Sequence, residues 1–252
     1  ARLRAAGIDV TEGTLEKAAA RDHAGFLSRV QKGRPRLTLK LASSFDGRIA
    51  TGSGESRWIT GPDARRQVHA ERARHDAVLV GGGTARADDP TLTVRGLGRI
   101  AQPVRIVASR RLDLRPDARL MRTASEGTVW ALRGSDASPE RIAALDAAGL
   151  RCLLAPLGHD RHLEPEGMLQ VLGAAGLTSV FCEGGGAFAA SLLQADLVDE
   201  LVGFTAGVAL GAEGRPSLGP LGVSALSEAP RFDLIDSRAI GGDVLHRWQR
   251  RG

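Results

Sequence analysis

The order of apolar and polar positions predicts an α/β domain over most of the chain. Short apolar runs, such as VRIVAS at 104–109 and GTVWAL at 127–132, have the length and the β-branched content of buried strands. Segments with helical spacing lie between them, as in SPERIAALDAAG at 138–149, where Ser138 can cap the start and Gly149 can end the helix. Strands that alternate with helices are typical of a mainly parallel sheet flanked by helices.

Two segments predict that this sheet is mixed. The segment RLTLKLASSFDGRIA at 36–50 alternates leucine with polar or small residues, which predicts a half-buried strand with one polar face. Its dipeptide Asp46-Gly47 indicates a turn. Near the C-terminus, RFDLIDSRAIGGDVLHRWQ at 231–249 predicts an antiparallel hairpin that turns at Gly241-Gly242.

The first part of the chain predicts a helix outside this domain. Residues 14–31 place Leu15, Ala19, Phe26 and Val30 near one face, and the sequence KGRP at 32–35 interrupts the pattern. We therefore divide the chain into a helical extension at 1–33 and one domain at 34–252. No apolar run has the length of a membrane span and no secretory leader is visible, so a cytoplasmic protein is expected.

The charge balance favours an anionic ligand. The chain of 252 residues has 34 basic and 29 acidic side chains, a formal net charge of +5. Tyrosine is absent and aromatic residues make up 4%, which leaves little for base stacking, so a phosphorylated small molecule is favoured over nucleic acid. Cys152 and Cys182 each lie in an apolar strand-like run and are expected to be reduced core residues. Their spacing does not provide a zinc site.

Two glycine clusters follow predicted strands and are the first candidates for chemistry. One is GGG at 81–83 after DAVLV, and the other is GGG at 184–186 after SVFCE. A strand, glycines and a helix start can bind phosphate, because the first N–H groups of a helix are free. A turn that only packs a helix is the alternative, since neither the G-x-G-x-x-G pattern with its acidic partner nor a P-loop lysine is present.

Several polar residues near these clusters have ordinary interpretations as well. Thr84 is a possible helix cap, Asp88 and Asp89 fit a solvated turn, and Arg95 by itself would be a surface charge. The pair His69 and Glu71 matches part of a zinc deaminase pattern, but the paired cysteines of that motif are missing. These two residues are therefore expected on a charged, exposed helix face. No G-x-S-x-G elbow supports a serine hydrolase.

Taken together, several stretches resemble one family. TLKLASSFDGRIA, the segment from GESRWIT to ADDPTLTVR, FCEGGGAFAASLL and the closing GGDVLHRW resemble the reductase domain of the bifunctional deaminase/reductase of bacterial riboflavin biosynthesis, over about 34–249. The resemblance implies a dihydrofolate-reductase-like fold and NADPH as cofactor. It implies reduction of 5-amino-6-(5-phosphoribosylamino)uracil at C1′ of the ring-opened sugar to the ribityl product. Residues 1–33 resemble the tail of the family's deaminase domain, whose body this sequence lacks.

The resemblance also implies roles for individual residues. The cofactor-binding positions are Ala42, Trp58, Thr84, Asp88, Ser109, Gly185, Gly186, Ala187, Phe188, Ala189, Ala190 and Ser191. The substrate-binding positions are Ser56, Arg72, Leu92, Arg95 and Glu183. Lys40, Asp88 and Glu183 form the expected catalytic centre, with an ion pair that only fixes the glycine loops as the alternative. From their charge and their position after Ser109, and not from the resemblance, Arg110 or Arg111 is expected to meet the cofactor 2′-phosphate, with a surface salt bridge as the equal alternative.

Two other functions compete with this interpretation. One is a reductase with the same fold and cofactor that acts on a pterin or another small carbonyl or imine compound, and the other is a non-enzymatic binding module. Arg95 and Glu183 favour the phosphorylated pyrimidine substrate. The apolar segment VDELVGFTAGVAL at 198–210 and the resemblance together predict a homodimer, without a nucleic-acid or membrane partner.

Overall fold

The computed structural model describes residues 2–251. The strands are β1 (Arg36–Ser44), β2 (Arg48–Ala50), β3 (Ala77–Gly81), β4 (Val104–Ala108), β5 (Val129–Arg133), β6 (Arg151–Leu154), β7 (Ser179–Gly184), β8 (Glu200–Ala206), β9 (Arg215–Pro216), β10 (Phe232–Ile240) and β11 (Asp243–Arg250). The helices are α1 (Arg2–Ala5), α2 (Glu16–Asp22), α3 (Ala24–Lys32), α4 (Pro62–Ala73), α5 (Gly82–Asp88), α6 (Arg119–Arg122), α7 (Pro139–Ala147), α8 (Pro165–Ala174) and α9 (Gly186–Gln194). A 3₁₀ turn at Ala124–Glu126 follows α6.

The main sheet confirms the expected mixed, mainly parallel architecture. Within the described residues it has nine strands in the order β10-β11-β8-β1-β7-β3-β4-β5-β6. The strands from β8 to β6 in this order run parallel, whereas β11 is antiparallel to β8 and β10 to β11. The terminal hairpin turns at Gly241-Gly242 as expected, and Gly241 has a positive φ of 61°.

Helices cover both faces of the sheet. On one face, α8 and α9 pack against the apolar side chains of the central strands, including Leu39, Leu79 and Cys182. On the other face, α5, α6 and α7 pack against β3, β4 and β5, while α4 packs against β8 and β11 through Ala64, Phe204 and Leu245. The carboxyl ends of β1, β7 and β3 emerge side by side between these layers.

The polar face of β1 is partly exposed, as expected of a half-buried strand: Lys40 and Ala42 keep some exposed surface, and Thr38 is buried. The strand lies between β7 and β8 in the middle of the sheet, and Thr38 is 1% exposed. His75 follows α4 and places its Nε2 3.0 Å from the Thr38 Oγ1. His75, which follows α4, thus covers Thr38, a contact that alternation along one strand does not reveal.

The N-terminal segment differs from the single helix predicted for residues 14–31. The helix is interrupted at His23, and the side chains of Phe26 and Val30 are 57% and 66% exposed. Helix α3 packs instead through Gly25, where a Cβ would lie 2.8 Å from the Thr178 carbonyl oxygen, and through Arg29, whose Nε donates to the Gly173 carbonyl at 2.9 Å. The division of the chain at residue 33 stays a prediction.

Local expectations at the caps and cysteines agree with the structure. The Ser138 Oγ accepts the Arg141 N–H at 3.3 Å at the start of α7, and Gly149 follows the helix with a φ of 86°. Both cysteines are free thiols, but Cys152 is only partly buried. Burial raises the pKa of the Cys182 thiol to about 12. Among residues 2–251, none of the helices has the length and apolar composition that crossing a membrane requires.

Candidate active site

The two glycine clusters lie side by side, as the sequence predicts. Strands β3 and β7 are parallel neighbours, and Val80 pairs with Gly184 near their carboxyl ends. Helix α5 begins directly after Gly81, and helix α9 begins directly after Gly185. Two helix starts therefore meet at the same edge of the sheet, the edge at which open α/β sheets bind ligands.

Close backbone approach explains one glycine of the second cluster. Gly185 has φ 78° and ψ 145°, and a Cβ at this position would lie 2.7 Å from the Thr84 Oγ1. Thr84 is not a helix cap, because Gly81 occupies that position; its hydroxyl donates to the Gly184 carbonyl at 3.3 Å. The N–H groups of Gly186, Ala187 and Phe188 come before the first intrahelical bond of α9 and are available to an anion.

A methyl group at position 185 is expected to damage this arrangement. Gly185→Ala should lower the free energy of unfolding by about 1–3 kcal/mol, because a side chain is strained at this φ and meets Thr84. We also expect the dissociation constant for NADPH to rise about tenfold, measured by fluorescence titration. Gly242→Ala is the control, since nothing lies within 4 Å of a Cβ there. Equal effects of the two substitutions would contradict the role given to Gly185.

A buried ion pair stands below the glycine edge. Arg72 of α4 donates from Nε to Glu183 Oε1 at 2.5 Å and from Nη2 to Oε2 at 3.0 Å. Its Nη1 donates to the Thr93 carbonyl at 2.8 Å, so each of its terminal nitrogens has a partner. Both side chains of the pair are 11% exposed. Arg72 and Glu183, both expected to bind substrate, thus bind each other in this structure.

Lys40 lies next to this pair. Leu39 of β1 is opposite Cys182 of β7, so the following residues, Lys40 and Glu183, are on neighbouring strands and point to the same face. Burial lowers the pKa of the Lys40 ammonium and Arg72 acts in the same direction, whereas Glu183 and Asp88 oppose the shift. Burial also disfavours ionised Glu183, but Arg72, Lys40 and His69 outweigh it and lower the pKa of that carboxyl.

Asp88 is at the mouth of the same cleft. It ends α5, and its backbone carbonyl accepts from the Arg57 Nη2 at 3.1 Å. The side chain is exposed, yet the surrounding protein displaces enough water to raise the pKa of the carboxyl, while Arg57 and Lys40 oppose the rise. The neighbouring Asp89 is partly exposed, and its Oδ1 accepts the Arg119 N–H at 2.8 Å.

An exposed aromatic platform stands beside this mouth. Trp58 is 68% exposed, with the Arg65 guanidinium 4.6 Å and the Arg57 guanidinium 6.0 Å from its ring centroid. Cations near the ring hold it in place by attraction to its π electrons. This geometry suits the cofactor-binding position that the resemblance gives to Trp58.

Some expected ligand positions have little side chain to offer. Leu92, Ala189 and Ala190 are 1%, 0% and 3% exposed and belong to the hydrophobic core. The Ala189 N–H already donates to the Gly185 carbonyl at 2.9 Å. Contacts of a ligand with Leu92 or Ala190 would therefore involve the backbone only. The Ser191 hydroxyl donates to the Phe188 carbonyl at 2.9 Å, inside the helix.

Ser109 connects the glycine edge with an arginine cluster. A Cβ on Gly82 would lie 3.2 Å from the Ser109 Oγ, which accepts the Asp113 N–H at 3.0 Å. Arg110, Arg111 and Arg161 all approach Asp136 Oδ2, at 3.5, 3.7 and 3.6 Å. Arg110 and Arg111 thus form the salt bridge that the sequence left open. Three cations nevertheless share one carboxylate, which leaves an excess of positive charge beside Ser109.

Helix α4 contributes more to the interior than its sequence suggests, and the predicted exposed face was wrong for His69 and Glu71. Glu71 is 1% exposed and accepts from Arg247 Nη2 and Gln67 Nε2, both at 2.7 Å. His69 is partly buried, and its Nδ1 accepts the Arg95 N–H at 3.2 Å. Sequence reasoning missed His69 and Arg57 as neighbours of the site, although both lie in the stretch from GESRWIT to ADDPTLTVR.

The fold and the site define a class of protein: an α/β domain with two glycine-rich helix starts above a lysine–carboxylate centre, as expected of an oxidoreductase with a nucleotide cofactor. Comparison with known proteins gives the family. The RibD C-terminal domain family matches residues 35–246, and the chain belongs to this family. The membership confirms the predicted class, an oxidoreductase of riboflavin biosynthesis with a nicotinamide cofactor, and favours it over a reductase for pterins.

Individual relatives agree with this assignment. The riboflavin biosynthesis protein RibD of Escherichia coli is 38% identical over 97% of this chain and 68% of its own length. In the solved structures, Acinetobacter baumannii RibD has a TM-score of 0.84 at 32% identity, over 99% of this chain and 67% of that one. A Thermotoga maritima deaminase/5-amino-6-(5-phosphoribosylamino)uracil reductase has a TM-score of 0.81 at 29% identity. The chain spans about two thirds of the length of these relatives.

Proposed function

We propose that this chain reduces 5-amino-6-(5-phosphoribosylamino)uracil to its ribityl counterpart with NADPH. The observation that carries the proposal is the centre of Lys40, Glu183 and Asp88 below two glycine-rich helix starts. The name of the Thermotoga maritima relative, at 29% identity, includes this reductase activity. A phosphorylated substrate also suits the chain's net charge of +5.

The residues at the glycine edge fit a nicotinamide dinucleotide. Gly185 leaves a space at Thr84 that a Cβ would fill, and the first N–H groups of α9 face the same edge. In the proposed arrangement, the cofactor phosphates bind at Gly185, Gly186 and Ala187. Trp58 and Ala42 line the part of the cofactor site that is nearest to Lys40. Bound there, NADPH supplies the hydride that the reaction requires.

The chain's own residues orient the substrate and provide a proton. Lys40 carries a buried positive charge that can polarise the electrophilic carbon–oxygen or carbon–nitrogen bond. Glu183, held ionised by Arg72, can accept hydrogen bonds from sugar hydroxyl or uracil N–H groups. Asp88, whose pKa is raised, holds its proton to a higher pH than an ordinary aspartate and can donate it to the reacting group.

The preference for NADPH over NADH is proposed from charge. Arg110, Arg111 and Arg161 surround one carboxylate next to Ser109, and a 2′-phosphate would add the missing negative charge.

A homodimer and a cytoplasmic location belong to the same proposal. Light scattering that gives the mass of one chain at micromolar concentration would contradict the dimer.

The first experiment is a turnover assay with matched substrates. The wild type is expected to oxidise NADPH in the presence of the deaminated ribosylaminouracil phosphate, and Asp88→Ala should lower kcat about 10²-fold or more. A pterin is offered in parallel under the same conditions. Absence of turnover with the uracil compound, in a folded protein that binds NADPH, would refute the proposed substrate, and turnover of the pterin alone would identify the alternative.

A further inference from the structure

Helix α4 carries several residues of the candidate site but has no side-chain cap of its own. Its N-cap is Gly61, which has no side chain to offer, and Pro62 and Asp63 begin the first turn. The third helical residue is Ala64, so the glutamate or glutamine that reaches back to the N-cap in a capping box is absent. The N–H of Gly61 must therefore be satisfied by another element or by solvent.

Asp243 of β11 provides the acceptor. Its Oδ2 accepts the Gly61 N–H at 2.7 Å, across 182 positions of sequence. Asp243 is 6% exposed, and in the described part of the chain no arginine or lysine lies within 4.0 Å of its carboxylate. The positive end of a helix dipole stabilises such a carboxylate, so Asp243 caps α4 from the C-terminal hairpin. The hairpin turn is equally close, because a Cβ on Gly241 would lie 2.7 Å from Asp63 Oδ2.

The same face of β11 contacts α4 along the length of the helix. Asp243, Leu245 and Arg247 are two positions apart and therefore point to one side of the strand. Leu245 belongs to one apolar cluster with Ala64, and Arg247 Nη2 donates to Glu71 Oε1 at 2.7 Å. These contacts extend from the cap of α4 to its last turn. The hairpin thus determines where α4 lies relative to the sheet.

The start of α4 in turn holds Trp58. Arg65, in the first part of the helix, donates from Nη1 to the Thr60 carbonyl at 2.8 Å, and its guanidinium lies 4.6 Å from the Trp58 ring centroid. The ring is 68% exposed, so packing in the interior does not fix it. Its position therefore depends on how the segment 58–61 is held against α4 and against Asp243.

Resting on the proposed function, in which Trp58 lines the cofactor site, we infer that Asp243 is a positioning residue for NADPH binding. It acts through the Gly61 N–H and through Arg65, and it does not touch the cofactor. The hydrogen bond from Gly61 keeps the cap of α4 in place, and the helix keeps the Trp58 ring in place. The C-terminal hairpin thus contributes to the cofactor site without reaching it.

Two substitutions at position 243 test the hydrogen bond. Asp243→Ala removes the acceptor and should raise the dissociation constant for NADPH about fivefold, measured by fluorescence titration. Asp243→Asn keeps an oxygen that accepts the Gly61 N–H, so its dissociation constant should stay within about twofold of wild type. Asp236→Ala is the matched control, because Asp236 is on the same hairpin and pairs with Arg238 of its own strand. Equal dissociation constants for Asp243→Ala and this control would overturn the inference.

A double-mutant cycle separates the positioning of Trp58 from a general loss of structure. In the Trp58→Ala background, Asp243→Ala should change the dissociation constant for NADPH less than about twofold, because the ring through which it acts is absent. A general disturbance of the fold would raise it about fivefold again, and that result would contradict the inference. Asp243→Ser, whose hydroxyl is one bond shorter than the carboxylate, replaces the alanine variant if circular dichroism shows that the latter does not fold.

A measurement without ligand keeps this inference separate from the proposed function. The indole N–H resonance of Trp58 in proton–nitrogen correlation spectra is identified with Trp58→Phe. It should shift in Asp243→Ala and keep its position in Asp243→Asn. If the wild type does not bind NADPH, the proposed function fails, whereas this shift still supports the role of Asp243 in positioning Trp58. An unchanged indole resonance in folded Asp243→Ala would show that the inference is wrong.

Discussion

Substitution of Lys40 by methionine is expected to lower kcat for NADPH oxidation about 10³-fold, within the range measured for groups that assist proton or charge transfer. Methionine keeps the length and apolar stem of lysine and removes only the charge. The central position of β1 holds this ammonium beside Glu183 and in the field of Asp88. The substitution therefore removes the buried cation closest to the expected reacting bond.

Steady-state kinetics and the affinity for NADPH test this expectation together. The dissociation constant for NADPH should change less than about threefold, because the glycine edge is untouched. Lys17→Met is the matched control, since Lys17 is exposed on α2. A loss of kcat no larger than that of the control would exclude Lys40 from the reaction.

The pH profile provides a second measurement on the same residue. Burial lowers the pKa of Lys40 from its ordinary value of 10.5, so the ammonium loses its proton at a lower pH than a free lysine. The alkaline limb of kcat in the wild type should therefore fall below pH 10.5. Lys40→Met should lack this limb, and a limb that persists in the variant would belong to another group.

Substitution of Arg72 by methionine is expected to lower the free energy of unfolding by about 3 kcal/mol at neutral pH. The reason is the carboxylate left behind: Glu183 is 11% exposed and loses both hydrogen bonds from the guanidinium. Chemical denaturation followed by circular dichroism gives the value. Arg72→Met combined with Glu183→Gln should recover most of the loss, because the buried charge is then gone.

The dependence of this loss on pH has a definite sign. In the wild type the pKa of Glu183 is lowered, so the carboxylate contributes stability above its unfolded pKa, and this contribution disappears as the pH falls. In Arg72→Met, Glu183 is buried without the guanidinium, which raises the pKa of its carboxyl in the folded state. Protonation of Glu183 therefore reduces the loss of stability of the variant as the pH falls. The difference between wild type and variant should therefore begin to shrink as the pH falls through the raised pKa of the variant, and shrink further below the unfolded value of about 4.3. A difference independent of pH would show that packing of the arginine, and not Glu183, is responsible.

The sequence predicted the order of the elements better than their surroundings. The alternation of strands and helices, the cap at Ser138 and the turn at Gly241-Gly242 all agree with the structure, because they depend on local periodicity and backbone preference. The segment at 14–31 failed, because a helix with an apolar face does not have to bury that face: Phe26 and Val30 are exposed while Gly25 makes the contact.

At the site, too, the sequence predicted the motifs better than their contacts. The motifs around Glu183 and Asp88 pointed to one edge of a parallel sheet, and the family match over residues 35–246 includes both. The sequence did not reveal that Arg72 closes on Glu183, because that bond joins residues 111 positions apart. It also treated His69 and Glu71 as surface residues, since composition along α4 does not show what packs against the helix.

The sequence by itself thus determined the class of fold, the family and the residues that are candidates for chemistry, because periodicity, capping and motif spacing are properties of the chain. The tertiary structure alone decided that Thr38 is interior, that Lys40 and Glu183 are neighbours and that Arg72 pairs with Glu183. Burial and charge pairing depend on segments far apart in sequence, and they shift the pKa values of Lys40, Asp88 and Glu183.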